Sequence, residues 1–303
     1  MSIFNKLIVT FLPLVPKPLV GYFSRRYIAG SRLIDVIEEV KRLNGLGMCA
    51  TIDVLGESIN KLEEAETPVN QYLEVLETIE KENLEANISV KPTQLGLMLD
   101  YDACLSNHTR LLESAALRGN FVRIDIEDAA TTDATLKLYA DLRKKFDNVG
   151  VALQAYLRRT LNDIRELSEK VDNLNFRLCK GIYIEPRKIA WKDRRIIQLN
   201  FELLLEEAFK RGAYVGIATH DELLVWAALK VIHKLNLPKT RYEFQMLLGV
   251  QPELRKIIVE AGHKLRVYVP FGEQWYAYST RRLRENPQIA GHIFKALFTP
   301  PER

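Results

Sequence analysis

Near the carboxyl end of the chain, Tyr278, Arg281, Arg282 and Glu285 stand at positions i, i+3, i+4 and i+7. On a helix that spacing puts all four on one face. Two adjacent guanidiniums with a phenol above and a carboxylate below make a fork for a small carboxylate. Arginines bind such groups bidentately and keep their charge at any working pH. A solvated helix face with an i,i+4 ion pair would use the same residues. The stretch presenting them, residues 264–286, opens with Leu265, Val267 and Val269 alternating with Arg266, Tyr268 and Pro270. That alternation is a short strand, which Pro270 and Gly272 are expected to end, and a helix follows.

Seven further β-like runs precede this one: Met48–Val54, Ile88–Lys91, Phe121–Ile126, Val149–Ala155, Phe176–Lys180, Tyr214–Thr219 and Tyr242–Leu247. Residues 31–43 read as a helix. Periodic helical segments at Pro68–Leu84, Leu105–Leu117, Asp133–Phe146, Leu161–Val171, Arg194–Lys210, Glu222–Leu235 and Glu253–Glu260 separate the runs, and Gln274–Arg284 follows the last. Strands alternating with helices imply parallel βαβ units, and eight units is the count of a (β/α)₈ barrel. A doubly wound sheet is the alternative, but no G-x-G-x-x-G follows the first strand and no Walker sequence occurs. The reading is an α/β chain with a helical arm at 1–43 and a TIM-like (β/α)₈ barrel at 44–303.

In a barrel the carboxyl ends of the strands and the loops after them build the active site. Those positions hold Asp53 and Glu57; Lys91; Asp125, Glu127 and Asp128; Gln154 and Tyr156; Arg177, Lys180 and Tyr183; Thr219, His220 and Asp221; Glu243 and Gln245; and Tyr268. Burying so many polar groups without partners would cost about 1–3 kcal/mol each, which favours a site over a purely structural barrel. Lys91, Arg177, Lys180, Arg281 and Arg282 make the mouth cationic, suited to a carboxylate substrate, an anionic cofactor, or both. Lys91 also fits an internal ion pair or a Schiff base. His220 fits a satisfied loop histidine or a contact to a phosphate or ring.

Composition removes several classes. With 43 basic and 39 acidic residues the net charge is +4, and no basic stripe with interleaved aromatics argues for nucleic acid. Cys49, Cys104 and Cys179 are odd in number and lack C-x-x-C, so neither a disulfide framework nor a zinc site is supported, and a reducing cytoplasm is expected. No histidine sits in a metal spacing. The apolar run Leu7–Val15 is too short to span a bilayer and is broken by Pro13, Pro16 and Pro18. Without a small-x-small cleavage site it is read as a helical arm rather than a signal peptide. The arm either touches a membrane surface through Lys17, Arg25 and Arg26 or packs over the body of the protein.

Seven segments, in order, resemble proline dehydrogenase: IDVLGES at 52–58, SVKPTQLG at 89–96, FVRIDIED at 121–128, RLCKGIYIEP at 177–186, IATHDE at 217–222, YEFQMLLGV at 242–250, and VYVPFG with WYAYSTRRLREN within 267–286. The resemblance covers roughly residues 30–300, and the length is similar to the stand-alone bacterial form rather than the bifunctional fusion with an aldehyde dehydrogenase. It implies a distorted (β/α)₈ barrel with additional N-terminal helices, FAD held non-covalently across the strand ends, and oxidation of L-proline to Δ1-pyrroline-5-carboxylate, the first step of proline catabolism. It further implies a membrane quinone as electron acceptor, a peripheral place on the inner membrane face, and a separate pyrroline-5-carboxylate dehydrogenase.

Carried onto this sequence, the resemblance gives Arg281, Arg282 and Lys91 the proline carboxylate, with Glu285 orienting the arginines. Tyr268, Tyr278 and Leu247 would enclose the ring, Asp53 would help close the pocket, and Tyr183 would sit over the substrate. Arg177, held by Asp125, would approach the flavin N5 edge, and Gln154 would bond the pyrimidine end. Cys179, Lys180 and Gly181 would line the ribityl-phosphate path; Thr219 and His220 would touch the FAD tail. Cys179 and Ile184 depart from the residue types expected at their positions. A tyrosine at 268 resembles proline-preferring members. The competing classes are a non-catalytic barrel binding an anionic metabolite and a Lys91 Schiff-base aldolase.

Overall fold

The computed structural model describes residues 26–56, 58–276, 278 and 279. Eight parallel strands close into a barrel in sequence order, β1 to β8, with β8 pairing back onto β1. They are β1 (Cys49–Val54), β2 (Ala86–Val90), β3 (Val122–Ile124), β4 (Val149–Gln154), β5 (Asn175–Cys179), β6 (Tyr214–Ala218), β7 (Tyr242–Leu247) and β8 (Leu265–Phe271). The helices around them are α1 (Leu33–Gly45), α2 (Glu66–Lys81), α3 (Tyr101–Leu117), α4 (Thr132–Arg143), α5 (Thr160–Lys170), α6 (Arg194–Lys210), α7 (Glu222–Lys234) and α8 (Pro252–Glu260), and residues 275, 276, 278 and 279 are helical as well. The sequence alternation therefore gives the architecture expected of it. Helix starts are set locally: the Asp100 and Asp193 side chains accept the Ala103 and Ile196 N–H groups at 2.9 and 3.0 Å, satisfying first-turn donors that have no partner inside the helix.

Helix α1 precedes β1 and packs against β1 and β8, burying Val36, Val40 and Leu43 in the same core as the strands. The boundary expected at residue 43 falls within it. The arm before residue 26 lies outside the described residues. No helix among the described residues is long and apolar enough to cross a membrane.

Strand β8 does not end at Pro270, as the sequence suggested, but continues to Phe271. Proline lacks an N–H and is tolerated only where the ladder needs no donor. Pairing with β7 stops at Leu247↔Tyr268, so nothing on that side needs a donor from Pro270. The Pro270 carbonyl instead accepts Ala29 N–H at 3.0 Å.

The strands alternate strictly. Ile52, Ile88, Ile124, Val151, Phe176, Ile217, Phe244 and Val267 are buried in the apolar core that the helices complete. The other parity, on the inner wall, is mostly polar and buried: Thr51, Asp53, Asn87, Ser89, Arg123, Asp125, Gln154, Arg177, Glu243, Gln245 and Arg266, with the small Ala152 beside Arg177. Barrel interiors are usually filled by branched apolar chains; this one is filled by ion pairs and hydrogen bonds. Two glycines make the room. A Cβ on Gly150 would strike the Arg123 guanidinium, and one on Gly216 would lie 2.5 Å from Gln245 Nε2.

Candidate functional site

Toward the amino-terminal ends of the strands, Glu243 receives Arg266 Nε at 2.7 Å and Nη2 at 3.2 Å, and Arg266 Nη1 donates to the Ala50 carbonyl at 2.7 Å. Burial works against the Glu243 charge, but Arg266 overrides it and holds the carboxyl at about 2. Gln245 links this layer to the next. Its Nε2 donates to Glu243 at 2.7 Å and its Oε1 accepts Arg177 Nε at 2.6 Å.

Above it, from β3, β5 and β8, lies a tight cluster. Asp125 accepts Arg177 Nη1 at 2.5 Å, the Ser89 hydroxyl at 2.7 Å and the Tyr268 hydroxyl at 2.8 Å. The Arg177 guanidinium also lies over the Tyr268 ring, 5.2 Å from its centroid. Burial raises the Asp125 carboxyl, but the charges of Arg177 and Lys91 and the two hydroxyl donors hold it below its ordinary value. Arg177 is thus fixed on three sides, by Gln245, Ser89 and Asp125.

Beside it, Lys91 Nζ donates to Asp53 Oδ1 at 2.5 Å. Asp53 is wholly buried and its other oxygen has no hydrogen-bond partner among the described residues. Burial pushes this carboxyl up, opposed by the Lys91 charge. Lys91 itself is raised: burial lowers it, but the Asp53 and Asp125 charges outweigh that. Asp53, Asp125 and the neighbouring Glu127 already offset Lys91 and Arg177, so an anion arriving there needs further positive charge to be held strongly.

Further polar groups line the ends of β4, β5, β6 and β7. Gln154 Nε2 donates to the Glu127 carbonyl at 3.1 Å, while its buried Oε1 has no hydrogen-bond partner among the described residues. Gly181, just past β5, has φ +97°, and a Cβ there would run into the Tyr156 ring. Cys179 is burial-shifted to about 11. Lys180 Nζ lies 3.6 Å from Asp221, whose N–H donates to the Thr219 hydroxyl at 3.1 Å. His220 Nε2 accepts Leu247 N–H at 2.8 Å, which ties the ends of β6 and β7 together. Tyr183 is half-buried in the loop after β5. Tyr278 packs with Ile28 and Leu55 beside Trp275. Arg281, Arg282 and Glu285, like Glu57, lie outside the described residues.

The structure thus brings Asp53, Lys91, Asp125, Arg177 and Tyr268 together, places Gln154, Cys179, Lys180, Gly181, Thr219 and His220 around the same rim, and adds Ser89, Tyr72, Arg123 and Arg266. Ser89 had a signal: it stands two residues before Lys91 and so shares its wall. Arg123 and Arg266 had the same signal lower on their strands. Tyr72 had none, sitting on the apolar stripe of α2.

A closed (β/α)₈ barrel whose strand ends converge on paired charges and unpartnered hydrogen-bonding groups is the framework of a barrel enzyme. The proline dehydrogenase family model matches residues 36–293. The chain is 34% identical over 274 residues to proline dehydrogenase 1 of Bacillus subtilis strain 168, covering 90% of each. It is 30% identical over 279 residues to a proline dehydrogenase of Deinococcus radiodurans, covering 90% of this chain and 89% of that one. The crystal structure of proline utilization A from Bdellovibrio bacteriovorus, inactivated by N-propargylglycine, superposes with TM-score 0.84 at 22% identity, over 99% of this chain and 40% of that one. The chain belongs to the proline dehydrogenase family.

Proposed function

We propose that this protein oxidises L-proline to Δ1-pyrroline-5-carboxylate with FAD as the bound oxidant. The observation that carries the reading is the Asp53–Lys91, Asp125–Arg177 and Tyr268 cluster at the mouth of a proline dehydrogenase family barrel. The residues fit a flavin. Gln154 Oε1 is a buried acceptor lacking a donor among the described residues, Arg177 is a fixed cation, and Gly181 leaves the backbone bare where a side chain would collide with Tyr156. When bound, the flavin supplies the two-electron acceptor for a hydride leaving C5 of proline as the C=N bond forms.

The chain's part is placement. Lys91, with Arg281 and Arg282, holds the substrate carboxylate, and Glu285 orients the arginines. Tyr268, Tyr278 and Leu247 surround the ring and Tyr183 covers it. Fixing that geometry in advance removes the orientational cost of the step. Arg177, held by Asp125, puts positive charge where negative charge develops. Cys179, Lys180, Gly181, Thr219 and His220 line the rest of the cofactor path. No residue is assigned as a dedicated base; the ring amine gives its proton to solvent. A membrane quinone takes the electrons, with the segment before residue 26 as the membrane contact, and a separate pyrroline-5-carboxylate dehydrogenase consumes the product.

The test is the visible spectrum of purified protein before and after anaerobic L-proline. A flavin spectrum that bleaches, and bleaches far less in the Arg281→Met/Arg282→Met double variant, supports both oxidant and clamp. Bound flavin that never bleaches removes proline as substrate. No flavin, even after reconstitution, leaves a barrel that binds some other anion.

A further inference from the structure

Tyr72 stands on α2, outside the barrel wall, and is fully buried. Its hydroxyl reaches into the seam between β1 and β2. The ladder of that seam is regular at its start: Ala50 N–H donates to the Glu85 carbonyl at 2.8 Å, and the register runs Ala50↔Ala86, Thr51↔Asn87, Ile52↔Ile88. Four residues further along both strands, the same offset pairs Val54 N–H with the Ser89 carbonyl. That bond is replaced. Val54 N–H donates to the Tyr72 hydroxyl at 3.3 Å, and the hydroxyl donates to the Ser89 carbonyl at 2.8 Å. One O–H inserted into a ladder position satisfies both backbone groups while parting them by roughly 2 Å more than a direct bond would.

The adjacent seams stay closed at this level. Leu55 N–H donates to Phe271 at 2.8 Å, continuing the β8–β1 ladder, and Asp125 N–H donates to Val90 at 2.9 Å, continuing the β2–β3 ladder. The parted seam is flanked by Asp53 on β1 and Lys91 just past β2, joined across it at 2.5 Å. The Tyr72 hydroxyl is 3.4 Å from Asp53 Oδ1. Ser89, whose carbonyl it holds, sends its own hydroxyl to Asp125.

We propose that Tyr72 is a positioning residue for substrate binding. It sets the width of the β1–β2 seam, and thereby the place of the Lys91 ammonium at the mouth and its spacing from the Asp125–Arg177 pair. The proposal rests on the reading of Lys91 as a contact for the substrate carboxylate. Tyr72 touches neither substrate nor cofactor and acts through the strand ends. In Tyr72→Phe the ring still fills the helix–strand space, but Val54 and Ser89 are free to join directly and draw Lys91 inward.

The experiment uses flavin-loaded full-length enzyme with L-proline and a soluble dye. Tyr72→Phe should raise KM about tenfold with kcat within about threefold of wild type. In a Lys91→Met background the same substitution should move KM less than about twofold, because its effect passes through Lys91. An unchanged KM in the first background, or an equal rise in both, overturns the proposal. If Tyr72→Phe does not accumulate folded, 3,5-difluorotyrosine at position 72 keeps the shape and weakens the hydroxyl as acceptor. A KM rise confined to the Lys91 background supports the proposal there, and a flat KM refutes it. Amide hydrogen exchange over residues 52–56 separates this from the activity reading. If proline fails as a substrate altogether, slower exchange at Val54 in Tyr72→Phe still shows the ladder closing, whereas faster exchange, an amide left without an acceptor, refutes the wedge.

Discussion

Replacing Asp125 tests how much the barrel interior depends on paired charge. The carboxylate accepts three donors: Arg177 at 2.5 Å, Ser89 at 2.7 Å and Tyr268 at 2.8 Å. In Asp125→Ala the Tyr268 hydroxyl loses its acceptor and Arg177 keeps only Gln245 and a 3.3 Å contact to Ser89. Removing one partner of a buried pair leaves the other charge uncompensated, which costs about 3–5 kcal/mol. Asp125→Asn keeps one acceptor oxygen for Arg177 and Ser89 but loses the charge and the oxygen that accepts the Tyr268 hydroxyl, about 1.5–3 kcal/mol for the charged hydrogen bond. The assay is urea unfolding at pH 7, with flavin occupancy equalised, since a ligand that binds only the native state adds its own stability. The pH dependence has a definite sign. The folded-state carboxyl lies below its ordinary value, so its contribution is present above about pH 4, the unfolded value, and is lost as pH falls further. Wild type and Asp125→Asn should therefore converge below about pH 4. An Asp125→Ala cost under about 1 kcal/mol would refute the view of Arg177 as a cation held by that carboxylate.

His108 is fully buried and burial pushes it down to about 4. Because its unfolded value is about 6.5, the native state stays neutral where the unfolded chain binds a proton, so about 3 kcal/mol of stability is lost between pH 6.5 and 4. His108→Gln should flatten denaturation midpoints across that window. Gly181→Ala forces a side chain into φ +97° against the Tyr156 ring. The backbone strain alone is about 1–3 kcal/mol, and the variant should lose flavin on gel filtration while wild type keeps it. Burial raises all three thiols, Cys104 to about 12 and Cys179 to about 11. Since the thiolate is the reactive form, iodoacetamide at pH 8 should label native protein slowly at every cysteine and unfolded protein at three sites. Deleting residues 1–25 should leave turnover with a soluble dye intact and weaken turnover with quinone-loaded vesicles; equal vesicle rates would remove the arm from electron transfer.

The barrel was legible because period-2 runs alternate with period-3.6 runs eight times, and α6 was read to its last residue. Strand ends drifted by at most two residues, and β7 by none. Pro270 misled because a proline reads as a stop, although at that edge no partner strand needed its N–H. Of the site, the mouth residues followed from their place at strand ends, and a polar residue two positions lower, such as Ser89 or Arg266, follows from the same alternation. Tyr72 does not. In sequence it is one more buried aromatic on an amphipathic helix, and its effect exists only because a hydroxyl arrives where two distant strands would otherwise join.

The inner wall of alternating charge also bears on how the barrel closes. Lys91, Arg123, Arg177 and Arg266 face Asp53, Asp125 and Glu243 across strands drawn from the whole length of the chain. Sliding any strand by one residue would turn its charges out among the helices and its Ile, Val or Phe inward. Such a slip strands buried ions as well as displacing apolar surface, so near-miss registers are penalised far more than in a barrel lined with interchangeable aliphatic chains. The same lining denies stability to partial assemblies. A half-barrel ending after β4 would expose Arg123 and Asp125 without Asn175 and Arg177 from β5. Ring closure should therefore be all-or-none, and complementary halves of this chain should fold only together.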